Sequence, residues 1–169
     1  MPRPITGDAP EYFFKYIALT EGESIDDIIG NHAEKLANFF QSIPDDKASY
    51  AYGEGKWTVK QVLQHLIDTE RVFVYRALCF ARMQAAPLPG MDENAFAEHA
   101  NLDQRSLAQI KEELFELRRS TDLFLQSLNE DDLKRKGNAS GNDLSVNALA
   151  YIIFGHLIHH KKILEERYL

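Results

Sequence analysis

Between Leu107 and Leu128 the apolar residues Leu107, Ile110, Leu114, Leu117, Thr121, Phe124 and Leu128 follow alternating steps of three and four without a break. That spacing draws one stripe along an α-helix, and a stripe of this length needs other helices to cover it. The chain supplies them. Ser24, an N-cap with Asp27 three residues on, opens a helix that carries Ile25, Ile28, Ile29, His32, Leu36, Phe39 and Phe40 on one face and stops before Pro44. Thr58 with Gln61 makes a capping box for a second helix, which runs to about Gln84, ahead of Pro87-Leu88-Pro89-Gly90. The helix with the unbroken repeat follows Asn101 or Asp103. A last one spans about Ser145 to Leu169, after a loop marked by Gly137 and Gly141.

No β-strand is expected, no repeat is visible, and the two longer connections cover about residues 42–57 and 85–102. The expected fold is all-α: an antiparallel four-helix bundle forming a single domain over residues 1–169. Residues 1–23 form a lead-in packed on the bundle, in which Pro10 can open a short helix carrying Tyr12, Phe13, Phe14, Tyr16 and Ile17. A chain of 169 residues is long enough for a sizeable core.

Charge and composition exclude several roles. The net charge is −7, from 19 basic and 26 acidic residues, and no basic stripe stands out, so no nucleic-acid partner is expected. No apolar run reaches the length of a membrane span, and Met1-Pro2-Arg3-Pro4 opens without an apolar signal core; a cytoplasmic location is the expectation. Cys79 is the only cysteine, so no intrachain disulfide can form; in its apolar helical setting it reads as a buried small residue rather than a nucleophile.

Chemistry concentrates in the last helix. Its seam runs Leu149, Ile153, His156, His160, Ile163, so two imidazoles one turn apart stand where leucine or isoleucine would normally pack. An i, i+4 pair of this kind can grip one metal ion; it can also be structural, hydrogen-bonded within itself or to a carboxylate. His65 borders the apolar face of the second helix. Alone it is an ordinary helix-face residue; together with His156 and His160 it completes three neutral ligands, the usual open shell of a catalytic divalent metal. That requires the second and fourth long helices to face each other. A di-iron bundle needs an acidic residue three before a histidine, and none of the six histidines has one; a His-Glu-x-x-His helix is ruled out by Leu157.

Three segments resemble the DinB/YfiT-like superfamily of metal-dependent four-helix-bundle proteins: GKWTVKQVLQHLIDTERVFVYRAL (Gly55 to Leu78), LPGMDENAF (Leu88 to Phe96) and FGHLIHHKKILEERYL (Phe154 to Leu169). The resemblance covers nearly the whole chain. It implies one divalent ion, Zn²⁺ or Ni²⁺, on His65, His156 and His160, often a homodimer, and in some relatives chemistry on low-molecular-weight thiols. Two functions of different class follow. One is an enzyme, a thiol S-transferase or hydrolase, in which the metal activates an external thiol or water toward a small-molecule substrate. The other is a non-catalytic metal- or ligand-binding, stress-related protein using the same residues.

Other side chains have weaker claims. His32 can line the pocket or be a satisfied core residue. Asp68, one turn from His65, can orient that ring's free nitrogen or form a surface salt bridge. Glu70 can pair with Arg71, Arg76 or Arg118 on the helix surface. His159 lies at the seam's edge, His99 in a polar loop, and Trp57 is a staple or a pocket wall. Asp92-Glu93-Asn94 is a solvated turn or a lid. Tyr12, Phe13, Phe14, Tyr16 and Phe80 add aromatic surface that would suit a homodimer.

Overall fold

A computed structural model describes residues 1–83 and 86–169. Among these residues there are seven α-helices and one β-hairpin: α1 (Phe14–Ile17), α2 (Ile25–Ser42), α3 (Val59–Ala81), α4 (Glu93–His99), α5 (Leu107–Gln126), α6 (Glu130–Lys134), β1 (Lys136–Ala139), β2 (Asn142–Ser145) and α7 (Val146–Arg167). Four of the helices are long, and their starts follow side-chain caps. The Ser24 hydroxyl accepts from Asp27 N–H, Thr58 and Gln61 close a capping box on α3, Ser106 and Gln109 close another on α5, and Ser145 accepts from Ala148 N–H. α2 ends because Ile43 precedes a proline and takes an extended conformation. α3 ends at Ala81, earlier than its sequence pattern suggests; Gln84 itself lies outside the described residues.

The long helices form a four-helix bundle whose order around the ring differs from their order along the chain. α3 packs on both α5 and α7, and α2 packs on both as well, so consecutive α2 and α3 lie across a diagonal. Directions follow from side-chain pairs. The Tyr168 hydroxyl reaches the Trp57 carbonyl while His65 meets His156, so α3 and α7 are antiparallel. His32 packs on Phe154 and Lys161 on Phe39, so α2 and α7 are parallel. Gln64 bonds Arg105 and Glu70 bonds Arg118, so α3 and α5 are parallel too. A parallel pair cannot be joined by a tight turn, which accounts for the long α3–α5 connection and the short α4 within it. The core is one cluster shared by all four long helices, with Leu63, Leu66, Ile67, Ile110, Leu149 and Phe154 among its closed-off members. The lead-in is tied down: Arg3 donates to the carbonyls of Gly22 and Ile17, and Asn147 donates to that of Pro2.

Two features correct the sequence reading. Residues 136–145 are a hairpin, not an irregular loop, with Ala139 paired to Asn142 and a two-residue turn at Ser140 and Gly141. Both turn residues have positive φ, +53° and +75°, the geometry that matches the twist of a tight hairpin. The hairpin lies flat on Phe80, because a Cβ at Gly137 would come within 2.0 Å of that ring. Phe80 is therefore 1% exposed and adds nothing to the surface. Tyr16 is also buried.

Candidate metal centre

α3 and α7 bring His65, His156 and His160 together. The Nε2 atom of His156 lies 3.1 Å from Nε2 of His65 and 3.1 Å from Nε2 of His160. Among the described residues these three form the only such gathering of potential metal-ligating atoms, all within 4.8 Å of one another. His65 and His156 are buried and His160 is half-buried. Burial lowers the basicity of all three rings: His65 to a pKa of about 4, His160 to about 3, and His156 well below the ordinary value. Mutual repulsion among the rings adds to burial at His156 and His160.

The donor set fits a cation. Neutral rings with hydrogen on Nδ1 would aim three Nε2 lone pairs at one point, which is repulsive unless something positive sits between them. Thr69 supports that tautomer in His65, since its hydroxyl lies 3.3 Å from Nδ1 and can accept the proton there. A tetrahedral ion with bonds of 2.0–2.1 Å separates its ligand nitrogens by about 3.4 Å, close to the observed spacing.

The remaining sequence candidates divide. Asp68 does not orient His65: its carboxylate accepts from Gln64 at 2.9 Å, and Thr69, a full turn from His65, stands at the ring nitrogen instead. An i+4 threonine is the signal that would have found this partner. His32 is turned away from the centre; its Nε2 accepts from Glu21 N–H at 2.8 Å and its ring rests near Phe154. His159 packs edge-on against Tyr16 and beside His160. His99 ends α4, with Nδ1 2.8 Å from the Ala95 carbonyl, and is exposed. Trp57 is a wall of the site, its ring 4.9 Å from that of His65. Glu70 is not on the surface. It is buried against Arg118 and the Thr121 hydroxyl, at 2.9 and 2.6 Å.

Two cavities flank the histidines. One of about 200 Å³ reaches His156 between Tyr16, Phe73 and Arg76. The other, about 300 Å³, reaches His160 beside Trp57 and Tyr168. The segment Asp92-Glu93-Asn94 is the capped start of α4 rather than a plain turn, with Glu93 at the first cavity and Asn94 at the second. A larger space of about 640 Å³, bordered by Asp68 and Arg105, contains none of the three histidines.

Comparison with known proteins agrees with this fold. YfiT from Bacillus subtilis, described as a probable metal-dependent hydrolase with an unusual four-helix bundle topology, superposes with a TM-score of 0.65 at 23% identity, over 98% of this chain and 92% of that one. A search of curated proteins finds no match. No helix among the described residues is long and apolar enough to cross a membrane. The sequence profile of the DinB superfamily matches residues 29–164, which takes in most of α2, all of α3 to α6, most of α7 and all three converging histidines, and the chain belongs to that superfamily.

Proposed function

We propose that this protein is a metal-dependent enzyme acting on a small molecule, of hydrolase or thiol S-transferase type, with His65, His156 and His160 holding one zinc or nickel ion. The observation that carries the reading is the convergence of three uncharged imidazoles, two buried and one half-buried, with one cavity reaching His156 and another reaching His160, and no carboxylate or cysteine completing the set among the described residues. A closed structural site would be expected to have a fourth protein ligand. The description of YfiT as a probable metal-dependent hydrolase supports the same reading. A divalent ion bound there would lower the pKa of a water or thiol reaching it. The protein's own part is to keep the rings neutral by burial, to set the His65 tautomer through Thr69, and to narrow the approach with Tyr16 and Trp57. Cys79 lies about four turns along α3 from His65, which leaves the nucleophile to come from outside.

Purified protein should carry about one divalent ion per chain, and His156→Ala or His160→Ala should lose most of it. The loaded protein should then hydrolyse activated esters or amides, or conjugate a low-molecular-weight thiol to an electrophile, and His160→Ala should not. Equal metal content in wild type and variants after reconstitution with zinc and with nickel would overturn the metal assignment. Full loading without turnover across the panel would instead favour a binding protein.

A cytoplasmic homodimer is the assembly we propose. Phe80 and Tyr16 are buried, but Tyr12 stays exposed, and Tyr75 and Leu78 on α3 with Phe115 and Leu123 on α5 add further exposed apolar side chains for it. Light scattering at tens of micromolar should give twice the chain mass, in the concentration range of ordinary specific association; a monomer there would rule the dimer out.

A further inference from the structure

Arg76 is a buried cation without a counter-ion. Its side chain is 6% exposed, and among the described residues no carboxylate lies within ion-pair distance of it. Among the described residues only its Nη2 finds acceptors, the Pro89 carbonyl at 2.9 Å and the Ser140 hydroxyl at 3.4 Å. The guanidinium borders the 200 Å³ cavity that ends at His156. It sits 5.9 Å from the Phe73 ring, which in turn packs edge-on at 6.1 Å from His156. One aromatic ring thus separates the cation from the candidate metal centre. Ser140 is one of only two non-glycine residues with positive φ among those described, and this turn brings its hydroxyl to the same cavity. An arginine so placed is costly unless something negative completes it.

We propose that this cavity is the substrate site and that it selects a small monoanion, a carboxylate with an apolar body. The carboxylate pairs with the free edge of the Arg76 guanidinium, and the body lies on Phe73 and Phe13 with its other end toward His156. A carboxylate suits the planar fork of arginine. A monoanion suits the cavity because Glu93 at its rim disfavours a second negative charge. The volume holds about seven waters' worth of ligand, the size of a ring with a short acid arm. This rests on the enzyme reading of the histidine centre and names the substrate class for it.

Calorimetry on the metal-loaded protein, with phenylacetate and phenylacetamide as probes, tests the assignment. Phenylacetate should bind at least about tenfold more tightly than its amide, as a charge-assisted hydrogen-bonded pair predicts. Arg76→Gln should lose that preference and Arg76→Lys should keep part of it. The chelated wild-type protein, measured in parallel, should keep it. Equal binding of acid and amide would overturn the proposal. So would a preference that vanishes on chelation but survives in Arg76→Gln, because the carboxylate would then be on the metal. If Arg76→Gln does not fold, the side-chain Nε–Hε resonance of Arg76 in the wild type decides: it should shift with phenylacetate and not with the amide, and an unmoved resonance under saturating acid overturns the proposal. Metal analysis of the same samples reports separately on the histidine centre.

Discussion

Glu70 lies one residue past Thr69 on α3, and its carboxylate is shut away from water between α3, α5 and α7. It is 3% exposed, accepts from Arg118 and Thr121 through one oxygen, and leaves the other, Oε2, buried without a partner among the described residues. Arg118 also bonds Asp122 and stacks over the Phe154 ring at 4.5 Å. Burial raises the pKa of Glu70, and Arg118 opposes that shift. Removing one partner of such a group is worse than removing both. Arg118→Met should therefore cost about 3–5 kcal/mol in urea unfolding, since it strands both Glu70 and Asp122. Glu70→Gln should cost distinctly less, because an amide oxygen still accepts from Arg118 and Thr121. An Arg118→Met loss below about 1 kcal/mol, the scale of an exposed pair, would show that water reaches the network. Arg118 was one of three arginines the sequence offered to Glu70. Choosing it required knowing that α5 runs beside α3 and parallel to it, and spacing along one helix carries no such information. The same limit applies to Asp68 and Thr69, both within a turn of His65: which one meets Nδ1 is decided by a side-chain rotation, not by sequence distance.

At the scale of elements, the close seating of α1 on α7 depends on Gly155. A Cβ there would lie 2.1 Å from the Tyr16 carbonyl oxygen and 2.9 Å from the Tyr16 Cβ. Helix propensity by itself predicts that Gly→Ala inside a helix stabilises by roughly 0.5–1 kcal/mol. The packing predicts the opposite sign, because the backbone of α1 has to move away. Gly155→Ala should destabilise the protein by about 1–3 kcal/mol, the range of overpacking, and should loosen Tyr16 from His156 and His159. Urea unfolding with near-ultraviolet circular dichroism checks both effects, and a stabilised variant would show that the contact is not as close as described. The long helices were readable because each buries a continuous stripe and starts at a side-chain cap; Ser24 and Thr58 with Gln61 act as the pattern suggests, whereas α5 starts later than Asn101 or Asp103, at the capping box of Ser106 and Gln109. α4 was not readable, since its seven residues include no buried one and it owes its place to docking over the cavities. The hairpin strands, KGNA and NDLS, lack alternating apolar residues and are held by the turn and by Phe80.

For the whole molecule, the histidine centre ties α3 to α7, the two helices that begin and end the path from the second cap to the C-terminal turn, so protons and metal should both act on global stability. In the metal-free protein the folded-state pKa values of His65 and His160 are about 4 and about 3, and His156 is lower than normal too. An unfolded chain protonates its histidines near ~6.5. Above that pH the rings are neutral in both states and contribute no slope. As pH falls from about 6.5 toward 4, the unfolded chain takes up protons that the folded chain refuses, and stability drops by at most about 1.4 kcal/mol per pH unit for each ring. Metal raises stability by mass action, about 2.7 kcal/mol at a hundredfold excess over Kd, because the site exists only in the folded state. Protons compete with the ion only where the folded rings themselves titrate, near pH 4 and below, so the gain holds while the stability of both forms falls through the upper window. Thermal melts of zinc-loaded and chelated protein should therefore stay about as far apart at pH 5 as at pH 7.5. His160→Ala should close the gap at every pH. A separation that collapses between pH 7.5 and 5 would mean that the free rings titrate near the ordinary histidine value and are not kept neutral by burial.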